Sequence, residues 1–127
     1  MDIISVLRSK EDLIAGKGVE DDIINRAEKK LSIKFAPDYR KYLSNFGLAM
    51  FGGHEITGLG KDKRTNVVDV TLSERERNSE TNVLYVIEQT NIDSIVIWQS
   101  SKGTIYKTIG SSKPSKIFNS LIEYIEH

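Results

Sequence analysis

The sequence predicts an α+β fold: one domain over residues 1–127, with a mostly antiparallel mixed sheet of about four strands flanked by N-terminal helices and a C-terminal helix. Three observations carry this. Helical periodicity dominates the first half, where Ile23, Ile24, Ala27 and Leu31 form one apolar stripe and Tyr39, Tyr42, Leu43 and Phe46 another. The runs VLYVIEQT and SIVIWQS in the second half are rich in the β-branched and aromatic residues that strands favour. The length of 127 residues suits one domain able to bury roughly two thirds of its unfolded surface.

Taken in chain order, Ile3, Ile4 and Leu7 predict a short first helix ending near the glycines of AGKG. The second helix lies within VEDDIINRAEKKLSIKF; its first turn holds Asp21 and Asp22 and its last turn Lys29 and Lys30, as the helix dipole favours. Pro37 opens a third helix, because a first-turn N–H has no intrahelical partner to lose, and Gly47 stops it. MFGGHEITG reads as a bend and a strand. In TNVVDVTLSERERN, Val68, Val70 and Leu72 alternate as in a strand. Val67, Val68, Thr71, Leu72 and Arg75 also fit a helix capped by Thr65 or Asn66, and the helix is preferred. Two strands follow; SSKG turns the chain and TIYKTIG pairs back. KPSKIFNSLIEYIE closes the chain as an amphipathic helix with Ile117, Leu121, Tyr124 and Ile125 on its buried side. The expected core includes Leu31, Tyr39, Leu43, Ile95, Ile97 and Leu121.

Bulk chemistry excludes several function classes. The chain carries 18 basic and 18 acidic residues, and neither half is basic enough to attract nucleic acid directly. No cysteine is present, so there is no thiolate ligand or nucleophile and no disulfide, which suits a reducing cytoplasm. The apolar part of MDIISVLRSKEDL is too short for a signal peptide, and no run approaches the ~18 apolar residues of a membrane span. The expectation is a cytoplasmic protein.

A search for catalytic and cofactor motifs finds none. GLGKDK places Lys63 where a dinucleotide fingerprint needs its third glycine, and Glu55 and Asp62 occupy two positions a P-loop would require. Gly47, Gly52, Gly53, Gly58 and Gly60 are therefore read as turn and strand-end residues. His54 has no cysteine partner and no second internal histidine, His127 being terminal and prone to fray; a packed or surface histidine is expected rather than a ligand or base. The charges of SERER (73–77) spread around a helix and read as a solvated face, with Glu74 and Arg77 at i, i+3. Trp98 reads as core packing, since a base-stacking platform would need a basic groove. No Gly-x-Ser-x-Gly or Ser-x-x-Lys occurs. Catalytic, cofactor and metal residues are all expected to be none, and no residue can be assigned to a partner contact.

The segment EKKLSIKFAPDYRKYLSNFG resembles the signature of the SUKH superfamily, the Smi/Knr-type domain. In that pattern a helix carries Glu and Leu (Glu28, Leu31). A Pro–charged–Tyr step follows (Pro37, Asp38, Tyr39), then a helical Leu (Leu43) and an Asn-Gly-like end (Asn45 to Gly47). HEITG matches the strand that comes next, the central strands resemble LYVI, SIVIW and GTIYK, and Ser120, Leu121, Tyr124 and Ile125 resemble the closing helix. Ala36 stands where a Leu is usual, and IVIWQSSKG lacks the usual Asp. The resemblance spans nearly the whole chain. It implies a non-enzymatic immunity protein, without cofactor, that binds and occludes a cognate bacterial toxin, typically a nuclease. The alternative it leaves is a cytosolic regulatory or scaffold module of the same fold.

Overall fold

The computed structural model describes residues 2–127. Helix α1 (Ile3–Arg8) is capped by Asp2, whose carboxylate accepts the Ser5 N–H at 2.9 Å. It stops well before the AGKG glycines, because Leu7 is followed at i+3 and i+4 by Lys10 and Glu11 and the apolar stripe ends. Strand β1 (Ile14–Ala15) takes the place of the expected helical continuation. Helix α2 (Asp21–Leu31) buries Ile24, Ala27, Glu28 and Leu31 but leaves Ile23 exposed, so its predicted stripe is wider than the core that covers it. Helix α3 (Pro37–Asn45) buries Tyr39, Tyr42 and Leu43, and Gly47 beyond it adopts φ 65°.

The predicted bend and strand are two strands, β2 (Ala49–Phe51) and β3 (His54–Ile56). Gly52 and Gly53 join them, at φ 52° and 81°. Positive φ at both central residues is what a two-residue hairpin turn with the sheet's own twist requires. The chain then loops through residues 58–66, closed by Gly58 N–H to Thr65 O and Val67 N–H to Gly58 O, both under 3 Å. A side chain at Gly58 would collide with the Gly47 carbonyl, its Cβ lying 1.6 Å from that oxygen. Gly52 and Gly53 thus serve a turn, as expected, while Gly58 permits a close backbone approach that the sequence reading did not include.

Helix α4 (Val67–Arg77) is capped by Asn66, which accepts from Val68 and Asp69 N–H groups. After a short 3₁₀ turn (Ser79–Thr81), a four-stranded meander follows: β4 (Leu84–Gln89), β5 (Ile95–Ser100), β6 (Ile105–Ile109) and β7 (Ser115–Phe118). Strand β7 corrects the sequence reading. Ser115, Lys116 and Phe118 pair with β6, Ile117 falls at a register shift within the same strand, and only Leu121–Glu126 form the closing helix α5. Ser120 caps α5 by accepting the Glu123 N–H, while Glu123 reaches back to Asn119 N–H at 2.9 Å. That reciprocal cap fixes the start at residue 121, and the β-branched and aromatic pair Ile117–Phe118 before it suits a strand.

The fold is α+β, with five α-helices and two antiparallel sheets among the described residues, ordered β1-β2-β3 and β4-β5-β6-β7, where one sheet of about four strands was expected. Thr57 stitches them together: its N–H donates to Ile87 O and its hydroxyl to Val86 O. The β4 edge is thereby covered, removing a site for stray strand pairing. One face of the four-stranded sheet meets the main core, with Tyr85, Ile87, Ile97 and Ile105 against Leu31, Tyr39, Leu43 and Leu121. The other face, with Leu84, Val86, Val96 and Trp98, packs on Val70 of α4. Of the expected core, Ile95 alone is only half-buried.

Candidate interaction surface and the buried polar centres

Two polar centres lie inside the domain, and both are built on carboxylates. Glu28, at the end of α2, accepts the Phe35 N–H at 2.8 Å and pairs with Arg40 at 3.1 Å. It thereby fastens the α2–α3 linker, whose Ala36 N–H donates to the Tyr85 hydroxyl at 2.9 Å. Tyr85 in turn donates to Gln99 Oε1 at 2.6 Å. Asp38 accepts from Gln99 Nε2 and from the Leu121 N–H at the start of α5, each at 3.1 Å. The Glu, Pro-Asp-Tyr and Leu positions of the sequence signature are thus fold determinants that clamp helices to the sheet.

The second centre was not visible in the sequence. A β-bulge sets Val86 opposite Trp98 and Glu88 opposite Ile97, so Ile87 is the extra residue and Glu88 turns inward. The Glu88 carboxylate, 4 % exposed, meets His54 Nδ1 at 2.9 Å, the Glu55 N–H at 2.8 Å and the Tyr124 hydroxyl. His127, an exposed residue, stacks on Tyr124 with ring centroids 5.3 Å apart and lies 6.4 Å from His54. His54 is a packed histidine as expected, although with a distant carboxylate that no spacing announced. Among the described residues no group of three or more His, Asp or Glu side chains is placed to hold a metal ion.

Burial pushes the phenols of Tyr39, Tyr42, Tyr85 and Tyr124 well above their ordinary range; for Tyr124 the neighbouring Glu88 adds to the effect. These groups stay protonated and donate hydrogen bonds; none is an activated nucleophile or base.

The SERER segment is less solvated than expected. Arg75 donates to Leu31 O at 2.8 Å and to Leu84 O at 2.9 Å, tying the C-terminus of α2 to β4. Its Nε is buried without a partner, and burial lowers the guanidinium's pKa. Glu74 accepts from Gln89 Nε2 at 2.6 Å rather than pairing with Arg77. Trp98 is core, 1 % exposed, and donates to the Thr108 hydroxyl at 2.9 Å.

Two open clefts flank α4. One, of about 350 Å³, lies between α2 and the N-terminal end of α4 over the loop at Leu59. The other, of about 390 Å³, lies where Glu74 and Arg77 face the β4–β5 hairpin. That hairpin carries three left-handed residues other than glycine, Asn91 (φ 59°), Asp93 (φ 52°) and Ser94 (φ 60°). The Thr90 hydroxyl donates to Ile95 O at 2.8 Å and accepts the Ile92 N–H at 3.2 Å. The loop holds Ile92 62 % exposed, while Ile109, on the strand beside it, is 51 % exposed. Left-handed conformations at non-glycine residues cost energy and persist only where the surroundings enforce them.

No helix among the described residues is long and apolar enough to cross a membrane. No curated protein matches the chain. The family model SUKH_5, described as SMI1-KNR4 cell-wall, matches residues 1–127, the whole length on which the signature was read, and the chain belongs to the SMI1-KNR4 family of the SUKH superfamily.

Proposed function

We propose that the protein is an immunity protein: it binds a cognate bacterial toxin, of the nuclease type, and occludes its working surface without chemistry of its own. The family supports this reading, and one observation carries it to a surface. The β4–β5 hairpin presents Ile92 to water on a loop locked by Thr90 and by three left-handed residues. An apolar side chain held rigidly outside the core loses little entropy on binding, which is how interface anchors gain affinity. Beside it Glu74 and Arg77 form a charged rim suited to orienting an approaching partner.

Co-expression with a candidate toxin, sought in the genes that flank the one encoding this chain, tests the proposal. The expected outcome is rescue of growth together with an equimolar complex that survives gel filtration, and loss of both with Ile92→Asp. Rescue with no complex would show an indirect mechanism and overturn the reading. A complex without rescue would favour a regulatory interaction module, the direction in which the family's cell-wall description points.

A further inference from the structure

A third cleft, of about 370 Å³, lies where the end of β7 meets α5, and it differs in kind from the two beside α4. Its surface is mostly apolar, with Phe118 and Ile122 as the floor, and apart from His127 its titratable side chains are both acids, Glu123 and Glu126. Among the described residues no lysine or arginine lines it, whereas the clefts beside α4 mix Arg26 and Lys30 with Asp69, and Arg77 with Glu74. Both acids are exposed, and neither makes an ion pair among the described residues. Glu123 accepts hydrogen bonds from Asn119, which leave its charge in place. The two carboxylates are poorly placed for the free domain. They stand at i, i+3, where like charges repel across one helix face. Glu126 also sits in the last turn of α5, the end that favours a cation; α1, α2 and α4 carry basic residues there, and α5 carries none. The His127 ring lies against Phe118 with centroids 4.8 Å apart, so an aromatic surface adjoins the two acids.

We propose that this cleft receives a basic segment of the bound partner, with the aliphatic stem of one lysine or arginine laid on Phe118 and Ile122 and its charged head held by Glu123 and Glu126. The proposal rests on the reading that the protein works by binding another protein, and it names that partner's chemistry. Three features select a cation on an apolar stem. The two carboxylates lack a counter-ion, and an incoming cation relieves their mutual repulsion. The floor takes methylene groups that a bare metal ion does not have. A phenyl ring attracts a cation placed within about 6 Å of its centroid. A nuclease-type toxin fits this chemistry, because a surface that holds phosphates carries Lys and Arg. The cleft at the β2–β3 hairpin also has two acids, but there the chain supplies its own cations: Arg64 pairs with Glu55 at 2.8 Å, and Lys10 lies 5.7 Å from the Phe51 ring.

The test is a titration of isotopically labelled protein with three probes: an acetylated peptide of alternating Lys and Leu, its Glu-for-Lys counterpart, and calcium chloride. The basic peptide should shift the amides of Phe118, Ile122, Glu123 and Glu126, and the acidic peptide should not. Glu126→Lys, at an exposed position, should weaken the basic peptide at least about tenfold, a loss of roughly 1.4 kcal/mol. Glu76→Lys makes the same change in net charge at an exposed position outside the cleft and should leave the affinity unaltered. No shift in the cleft, equal shifts with both peptides, or equal losses in the two lysine variants would overturn the proposal. Saturable calcium shifts at these amides without any from the basic peptide would replace it with a metal-ion site. The outcome is separable from that of toxin neutralisation. If wild-type protein rescues cells and Glu126→Lys rescues equally, with unchanged complex affinity, the cleft assignment alone fails. If the cleft binds the basic peptide as expected but the protein forms a complex without rescue, the toxin reading alone fails.

Discussion

Glu28 and Glu88 are both carboxylates inside the domain, 5 % and 4 % exposed, yet they are held in opposite ways. Glu28 leans on Arg40, whose side chain is 31 % exposed and also lies 4.0 Å from Asp21. Its second cation, Lys34, sits at 3.9 Å and is 84 % exposed. Among the described residues Glu88 has no Lys or Arg partner. It collects His54 and the Glu55 N–H from β3 and the Tyr124 hydroxyl from α5, gathering the small sheet, the large sheet and the last helix at one point. The first centre is local and tolerant, because its cations reach water. The second is long-range and more brittle, because the Tyr124 hydroxyl, on a residue 4 % exposed, has nowhere else to turn, although His54, its side chain 35 % exposed, reaches water.

High pH erases the difference, and it is the largest perturbation available. Each centre contains a buried phenol, Tyr85 beside the Glu28 linker and Tyr124 on Glu88, and Tyr39 and Tyr42 lie between them in the core. Burial raises all four above the unfolded value near 10. A group whose folded pKa is raised contributes stability that is complete below its unfolded pKa and is lost as pH climbs toward the folded one. Stability should therefore fall steeply above about pH 10. Tyrosinate absorbance of these four groups should appear with the loss of circular dichroism. Tyrosinate forming stepwise in a protein that stays folded would show that the phenols are less enclosed than their surroundings indicate.

Substitution separates the centres. Glu88→Ala strands the Tyr124 hydroxyl and the Glu55 N–H together, and a loss of about 2–5 kcal/mol is expected, at roughly 1–3 for each donor left without its acceptor. Glu88→Gln keeps the volume and an acceptor and should cost less. Glu28→Ala strands the buried Phe35 N–H but frees Arg40 and Lys34 to hydrate, so roughly 1–3 kcal/mol is expected. Chemical denaturation reads all three. Equal losses at the two alanine variants would break the distinction between a tolerant and a brittle centre.

The two centres also differ in how far the sequence discloses them. Glu28 sits one turn before Leu31 on an amphipathic helix and seven residues before Phe35, so a local pattern carries it. Glu88 follows Leu84–Ile87 in a run that reads as a plain strand, and a period of two sends it to the face opposite Ile87. Only the bulge at Ile87 turns it inward, and in a strand buried on both faces there is no alternation of side chains to reveal it. The same limit explains the other misses. Strand β1 is two residues long and is held in place by Met50 and Ala49, more than thirty positions away. Strand β7 was absorbed into a helix because Ile117 falls four residues before Leu121, although Ser120 and Glu123 do mark the true start. Both clefts are joined only in three dimensions, α2 meeting residues 59–69 and α4 meeting residues 89–110.

The smallest effect belongs to a carboxylate on the surface, and it calibrates the other two. Asp2 has the same kinds of partner as Glu28, a backbone N–H and a cation: Ser5 N–H at 2.9 Å and Lys41 at 3.1 Å. The Ser5 hydrogen bond, helped by Lys41, holds its pKa down at about 2. A depressed carboxylate contributes stability that is present above its unfolded value, 3.8 here, and lost as pH falls through about 2. Water and salt screen an exposed group, so the consequence should be local: faster amide exchange across Ile3–Arg8 in acid, with the global unfolding midpoint scarcely moved. Asp2→Asn should keep the cap and lose the Lys41 pairing, while Asp2→Ser keeps a weaker cap without charge. A shift of the global midpoint by Asp2→Asn as large as that from Glu28→Ala would mean that burial contributes little to the Glu28 centre. The contrast would then reduce to the number of hydrogen bonds each carboxylate accepts.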